Sequence, residues 1–220
     1  MTVSRFSVTT PARHPRLLIV PGLHDSGPVH WQTWLQGLHR GAVRVEVGDW
    51  HAPDLDRWSD AIARTLASQP HHGEPWWVAA HSFGCLGVVH HLLQRPDLPI
   101  EAALLVAPAD PDKFGLAHRL SHDPLPTQAT LIASSDDPWL SAEQARLWAG
   151  RWGCGWHLLN GAGHINAEAG FGPLPLAQRW VQAQQRRRAR ERRGAVESGA
   201  SAGSTRSAGS PDWASWQRAA

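Results

Sequence analysis

Tyrosine is absent from the 220-residue chain, lysine and methionine occur once each, and there are only two cysteines. Two cysteines cannot build a disulfide framework, which excludes the small, disulfide-stapled secreted class. No stretch approaches the ~18 apolar residues of a membrane span, and Met1 to Pro15 carries no apolar run of the signal-peptide type. These absences lead us to expect a soluble, cytoplasmic protein. With Lys113 as the single lysine, nearly every cation is Arg; beside the heavy use of Ala, Gly and Trp this reads as codon bias rather than function.

What is present begins with an uneven charge. The formal net charge is +2, but eight of the 21 cations and only three of the 19 acids lie from Arg186 onward. Residues 1–185 therefore carry 13 basic against 16 acidic groups, a mildly acidic body of a length that can bury a sizeable core. The stretch Gly194–Arg206 is small, polar and without periodicity, so residues 186–220 are expected to form an Arg-rich, disordered tail, the alternative being that Trp213 and Trp216 dock back on the body. The Arg186–Arg193 cluster could bind nucleic acid, but no binding module accompanies it. A solvated helix end, where cations suit the dipole, is the simpler reading, and no nucleic-acid or membrane partner is expected.

Residues 1–185 alternate strand and helix signals. Apolar runs at Leu17–Val20, Trp76–Ala80, Ala102–Val106, Ala129–Ala133 and Trp156–Leu159, with an alternating segment at Ala42–Val47, predict strands. Helical patterns occupy Trp31–Leu38, Leu55–Leu66, the stretch from Ser82 to Leu93, Ser141 to about Trp152, and Leu174–Gln185. Repeated strand–helix units of this size predict an α/β domain over 1–185, a mostly parallel sheet with helices on both faces.

The chemistry is concentrated where strands end. Val78-Ala-Ala-His-Ser82-Phe-Gly84-Cys is a strand entering a Gly-containing sharp turn and a helix, with serine at the apex; Ala80 stands at the first Gly position of the G-x-S-x-G elbow. Taken alone, Ser82 could equally be a helix N-cap. Chain order argues for more, because an acid and a histidine follow later strands in the sequence Ser, Asp, His. Asp136 and Asp137 follow Ala129–Ala133, and His164 follows Trp156–Leu159 between glycines. Asp137, four residues before Ser141, is preferred as the acid, with Asp136 as the alternative. His81 adjoins Ser82 but on a sharp turn points elsewhere, to pack or to line the pocket. The expected oxyanion donors are the backbone N–H groups of Phe83 and of Leu23, in the loop after the first strand. That Gly-containing loop lacks the G-x-x-x-x-G-K-[ST] pattern of a phosphate cradle.

Five strings together are more specific. Val20-Pro-Gly-Leu-His-Asp-Ser-Gly-Pro-Val-His-Trp-Gln-Thr-Trp34, Asp49-Trp50 with Pro53, His81-Ser-Phe-Gly84, Ser135-Asp-Asp-Pro138 and Gly163-His-Ile-Asn166 resemble the small serine hydrolases of the RBBP9/YdeN family. The resemblance spans about Leu17 to Val181. It implies a compact α/β-hydrolase fold with a minimal lid, a Ser-Asp-His triad on Ser82, Asp137 and His164, no metal or organic cofactor, and small acyl esters as substrates. The family's acid is the second of the paired aspartates.

The remaining features carry less. His118 and His122 share a helical spacing, but no set of three or four convergent ligands stands out, so no metal site is expected. Cys85 reads as a small buried residue, and Cys154 has no evident partner. The segment Ala107–Pro126 is the natural place for a short lid, with Phe114, Leu116 and Leu120 available to an acyl group. The leading expectation is a serine esterase acting on a small-molecule acyl substrate. The alternatives are a hydrolase-fold protein that binds without turnover and a cofactor-free perhydrolase using the same three residues.

Overall fold

The computed structural model describes residues 15–70, 74–97 and 99–204. In chain order these form β1 (Arg16–Val20), α1 (Trp31–Leu38), β2 (Val43–Arg44), α2 (Leu55–Ser68), β3 (Trp76–Ser82), α3 (Phe83–Gln94) and β4 (Ile100–Pro108). A one-turn 3-10 helix at Ala117–Arg119 follows, then β5 (Gln128–Ser134), α4 (Ala142–Arg151), β6 (Gly155–Leu159) and α5 (Pro175–Ser204). All six strands pair in parallel, in the order β2-β1-β3-β4-β5-β6. The sequence-predicted α/β architecture is the one observed. The alternating segment at Ala42–Val47 contributes only a two-residue strand, extended by the Val45 N–H donating to Ile19 O.

The order reverses after β2, so right-handed crossovers place α1 on one face of the sheet and α2, α3 and α4 on the other. The strands divide their side chains accordingly. Trp76, Val78 and Ala80 of β3 join a core with Trp58, Ile62, Leu86, Val89 and Trp148. The alternate residues Trp77, Ala79 and His81 are buried on the opposite face, where the His81 ring lies 6.1 Å from that of Trp31. Helix α2 shows why its sequence folds as it does. Asp54 caps it by accepting from the Asp56 and Arg57 N–H groups, and Leu55, Trp58, Ala61, Ile62 and Leu66 make one buried stripe.

One crossing positions everything functional. The turn from β3 into α3 is pressed against the end of β1, and only glycine fits at the contact. A Cβ on Gly84 would lie 2.4 Å from Pro21 O and 2.5 Å from Val20 O. On the other side, a Cβ on Gly22 would lie 2.8 Å from Ser82 Cβ.

The chain divides into two units at Trp180/Val181. The described part of the second is the continuation of α5, which runs on to Ser204 instead of ending near Gln185 as composition suggested. Over residues 186–193 Arg, Ala and Glu are strong helix formers, and a helix can continue there on propensity without the periodicity that burial imposes; the turns beyond, with Gly194, Gly199 and Gly203, have no such support from propensity. The expectations for Trp213 and Trp216 lie outside the described residues. Among the described residues no helix is long and apolar enough to cross a membrane.

Two stability outcomes follow. Gly84→Ala is expected to cost on the order of 3 kcal/mol or more, because the clashing atoms are backbone carbonyls that cannot rotate away; urea unfolding measures it. His91, fully buried with Nδ1 2.9 Å from Ser59 Oγ, has its pKa lowered to about 4 by burial first and then by Arg95. The unfolded chain therefore binds a proton between about pH 6.5 and 4 that the folded chain refuses, and stability falls as pH drops through that window. At pH 5 this one group costs roughly 2 kcal/mol relative to pH 7, and His91→Leu should shrink the difference between the two pH values by that amount.

Candidate active site

Because the strands are all parallel, the loops after β1, β3, β5 and β6 emerge along one edge of the sheet, where ligands bind in open α/β folds. Register completes the convergence: Ala80 pairs with Val20 on one side and Leu105 on the other, and Ser134 pairs with Leu159.

Ser82 ends β3 with φ 51° and ψ −124°, a backbone conformation that non-glycine residues seldom hold. It makes no side-chain cap on α3, so the N-cap alternative does not describe it. Its Oγ instead lies 2.9 Å from His164 Nε2. His164 Nδ1 is 3.0 Å from both Oδ1 and Oδ2 of Asp137. An ionised carboxylate only accepts, so Nδ1 carries the imidazole proton and Nε2 is left to accept from the serine hydroxyl. Asp137 is held in turn by the Trp139 N–H at 2.9 Å, with only 3% of its side chain exposed.

Asp136 faces the other way and performs a different task. Its Oδ1 accepts from Ser134 Oγ at 2.6 Å and from the Gly163 N–H at 2.8 Å, while Ser134 Oγ accepts from the Ala162 N–H at 3.0 Å. The Ser135 Oγ accepts from the Gly161 N–H in the same way. Together these bonds fasten the loop after β5 to the loop after β6. The Ser134 hydroxyl first, and then the Gly163 N–H, hold the Asp136 carboxyl below its ordinary value.

The loop after β1 is fixed by a second network. Gln32, wholly buried in α1, donates through Nε2 to Val20 O and Ala79 O, each at 3.0 Å, and accepts from Ser26 Oγ. Arg44 donates to Asp25 Oδ1, Ser26 O, Thr33 Oγ1 and Gln36 Oε1. His24 and Asp25 both have positive φ, 66° and 60°, and the His24 N–H donates to Trp50 O. These bonds set the backbone beside Leu23 against the elbow, where a Cβ on Gly22 would come within 3.2 Å of the Phe83 nitrogen. Phe83 opens α3 with its ring 4.9 Å from Trp58 and 5.3 Å from Phe114, so the segment after β4 leans on the residue following the serine. Lys113 Nζ, from that segment, donates to Pro138 O and Trp139 O.

Three imidazoles stand in a row beneath the site. His30, which caps α1 by accepting the Gln32 N–H on Nδ1, lies 4.7 Å from the His81 ring, and His81 lies 4.9 Å from His164. Burial lowers the His30 pKa to about 4, with Arg44 adding to the effect, and burial lowers His81 well below the ordinary histidine value. Among the described residues no group of three or more His, Cys, Asp or Glu could hold a metal ion. Sequence reasoning gave no role to Gln32, Arg44 or Asp136 as braces. The sequence signals were the string from Ser26 to Gln32 for Gln32 and the paired aspartates of Ser135–Pro138 for Asp136; nothing marked Arg44.

The model of the family described as serine hydrolase matches residues 17–183. A YdeN-like hydrolase from Pectobacterium atrosepticum shares 36% identity over 76% of this chain and 90% of its own, with a TM-score of 0.71. The ydeN gene product of Bacillus subtilis, at 19% identity over 77% and 98%, has a TM-score of 0.64. An esterase from a Rhodococcus species, at 13% identity over 78% and 89%, shares the fold with a TM-score of 0.56. No curated protein matches the chain in sequence. Family match and fold agree: the chain belongs to the serine hydrolases of the YdeN type, within the α/β-hydrolase superfamily.

Proposed function

We propose that this serine hydrolase cleaves a small carboxylic ester or thioester through an acyl-enzyme on Ser82. The observation that carries the reading is the continuous hydrogen-bonded path Ser82–His164–Asp137, with the serine on a left-handed turn that lifts its hydroxyl off the sheet. Ser82 Oγ attacks the acyl carbonyl as its proton passes to His164 Nε2. Asp137 stays ionised, fixes the Nδ1–H tautomer and stabilises the imidazolium. The negative oxygen of the tetrahedral intermediate is received by the N–H groups of Phe83 and Leu23. His164 then gives its proton to the departing alcohol or thiol, and afterwards takes one from the water that releases the acid and frees Ser82.

The surroundings support an ester of modest size. Leu23, Trp50, Phe114 and Leu116 are half-buried against the core on the α2–α3 side, giving an acyl group apolar walls. On the opposite flank Trp139 is 53% exposed with its ring 6.2 Å from that of His164, placing a flat apolar surface beside the leaving group. Cys85 and Cys154 are unbridged, and burial raises both thiols, Cys154 to about 12, which argues against either as the nucleophile.

Ser82→Ala should abolish p-nitrophenyl ester hydrolysis and fluorophosphonate labelling while leaving the circular dichroism spectrum unchanged. Labelling that persists in that variant would overturn the assignment, and a wild type that never labels would favour ligand binding without turnover. The two aspartates should separate cleanly. Asp137→Asn is expected to lower kcat by about 10^4 through the wrong tautomer. Asp136→Asn keeps its acceptor oxygen and should cost less than about tenfold, on the order of one neutral hydrogen bond.

A further inference from the structure

His81 takes no part in the proton path, yet it occupies the residue before the serine and is buried. Its Nε2 lies 3.0 Å from the main-chain oxygen of His164. A carbonyl can only accept, so His81 carries its proton on Nε2 and donates it there. That carbonyl belongs to the peptide plane joining His164 to Ile165, and Ile165 has φ 47°. A β-branched side chain in the left-handed region is an outlier, stored at a cost that the surroundings must hold in place. Ile165 is fully buried, and its N–H donates to Ala162 O at 3.1 Å. Both polar groups of this one peptide plane are therefore pinned, the N–H by the loop's own turn and the C=O by His81.

We propose that His81 is a positioning residue, whose Nε2–H locks the strained His164–Ile165 peptide and thereby holds the His164 imidazole on Ser82. The inference rests on His164 as the base, as argued above. Because His81 and Ser82 are neighbours at the end of β3, the strand that aims the nucleophile also aims the histidine that activates it. The donor has to be uncharged. A cation at 4.9 Å would oppose the imidazolium that forms on His164 during acyl transfer, and burial between the His30 and His164 rings keeps His81 neutral. Without the donor, the carbonyl is left buried and unpaired, and Ile165 relaxes toward the extended region, carrying His164 with it.

The test compares His81→Leu, which fills the site without a donor, with His81→Gln, whose amide Nε2 can reach the same carbonyl. His81→Leu is expected to lower kcat for a p-nitrophenyl ester about 30- to 100-fold with KM within about threefold, and His81→Gln to recover kcat to within about fivefold of wild type. Equal kcat in wild type and His81→Leu, or an equal loss in both variants while both remain folded, overturns the proposal. If His81→Leu does not fold, imidazole nitrogen–proton NMR of the wild type decides. An Nε2–H tautomer of His81 that does not titrate between about pH 5 and 8 supports the brace, and an Nδ1–H tautomer or a titration in that range overturns it. Turnover that survives Ser82→Ala overturns the underlying catalytic reading instead, so the two failures are distinguishable.

Discussion

Ser82 can hold a left-handed backbone only because the chain around it leaves no other choice. Such a conformation costs on the order of 1–3 kcal/mol and persists where neighbouring structure over-determines it. Here β3 is pinned between β1 and β4 to its last residues, and the turn into α3 is wedged against the carbonyls of Val20 and Pro21. Gly84 and Gly22 are consequences of that wedge, since any side chain would force the surfaces apart. The Ser82 hydroxyl, the helix N-terminus beside it and the adjacent loop after β1 all inherit their positions from this contact.

Around the elbow, the remaining parts are held by polar groups that the core would otherwise reject. Gln32 is buried completely and is tolerable there because its amide donates to two strand-end carbonyls and accepts a serine hydroxyl. Asp136 is exposed but bonds across two loops, so the acid and the histidine move as one unit. His81 adds a buried donor to the same loop from below. The geometry of the three side chains proposed to react is thus delegated to residues outside their hydrogen-bonded path, Gln32, Asp136 and His81, which is how preorganisation is built from ordinary hydrogen bonds.

Much of the fold was legible, because buried parallel strands announce themselves as short apolar runs such as Leu17–Val20 and Ala102–Val106, each stopped by a loop signal. The three residues proposed to react could be singled out by chain order at strand ends, and their side chains stand within hydrogen-bond reach of one another. Choosing between the paired aspartates rested on spacing and resemblance, since both sit one residue apart in the same turn and only the three-dimensional path shows which faces His164. The roles of Gln32, Arg44 and His81 were out of reach for a different reason. Their partners are main-chain carbonyls or lie tens of residues away, and no local pattern encodes a bond from β3 to a loop 83 positions later. The continuation of α5 over residues 186–193 was missed because propensity, unlike burial, leaves no periodic mark, and over the glycine-containing residues 194–204 propensity itself points away from a helix.

The stapling of the loops after β5 and β6 divides the mouth of the site into parts with different freedom to diverge. Lengthening either stapled loop would break several hydrogen bonds at once and displace the histidine. The stretch from Ala109 to Thr127 is anchored by Leu120 and Leu125 in the core and by the Leu125 N–H on Trp152 O, but the part around Lys113 and Phe114 meets the site chiefly through Phe114 on Phe83 and Lys113 on the Pro138 and Trp139 carbonyls. Insertions or replacements there can reshape what the site admits while the reacting groups keep their places. Such a partition lets descendants of this chain exchange one substrate for another without rebuilding the chemistry.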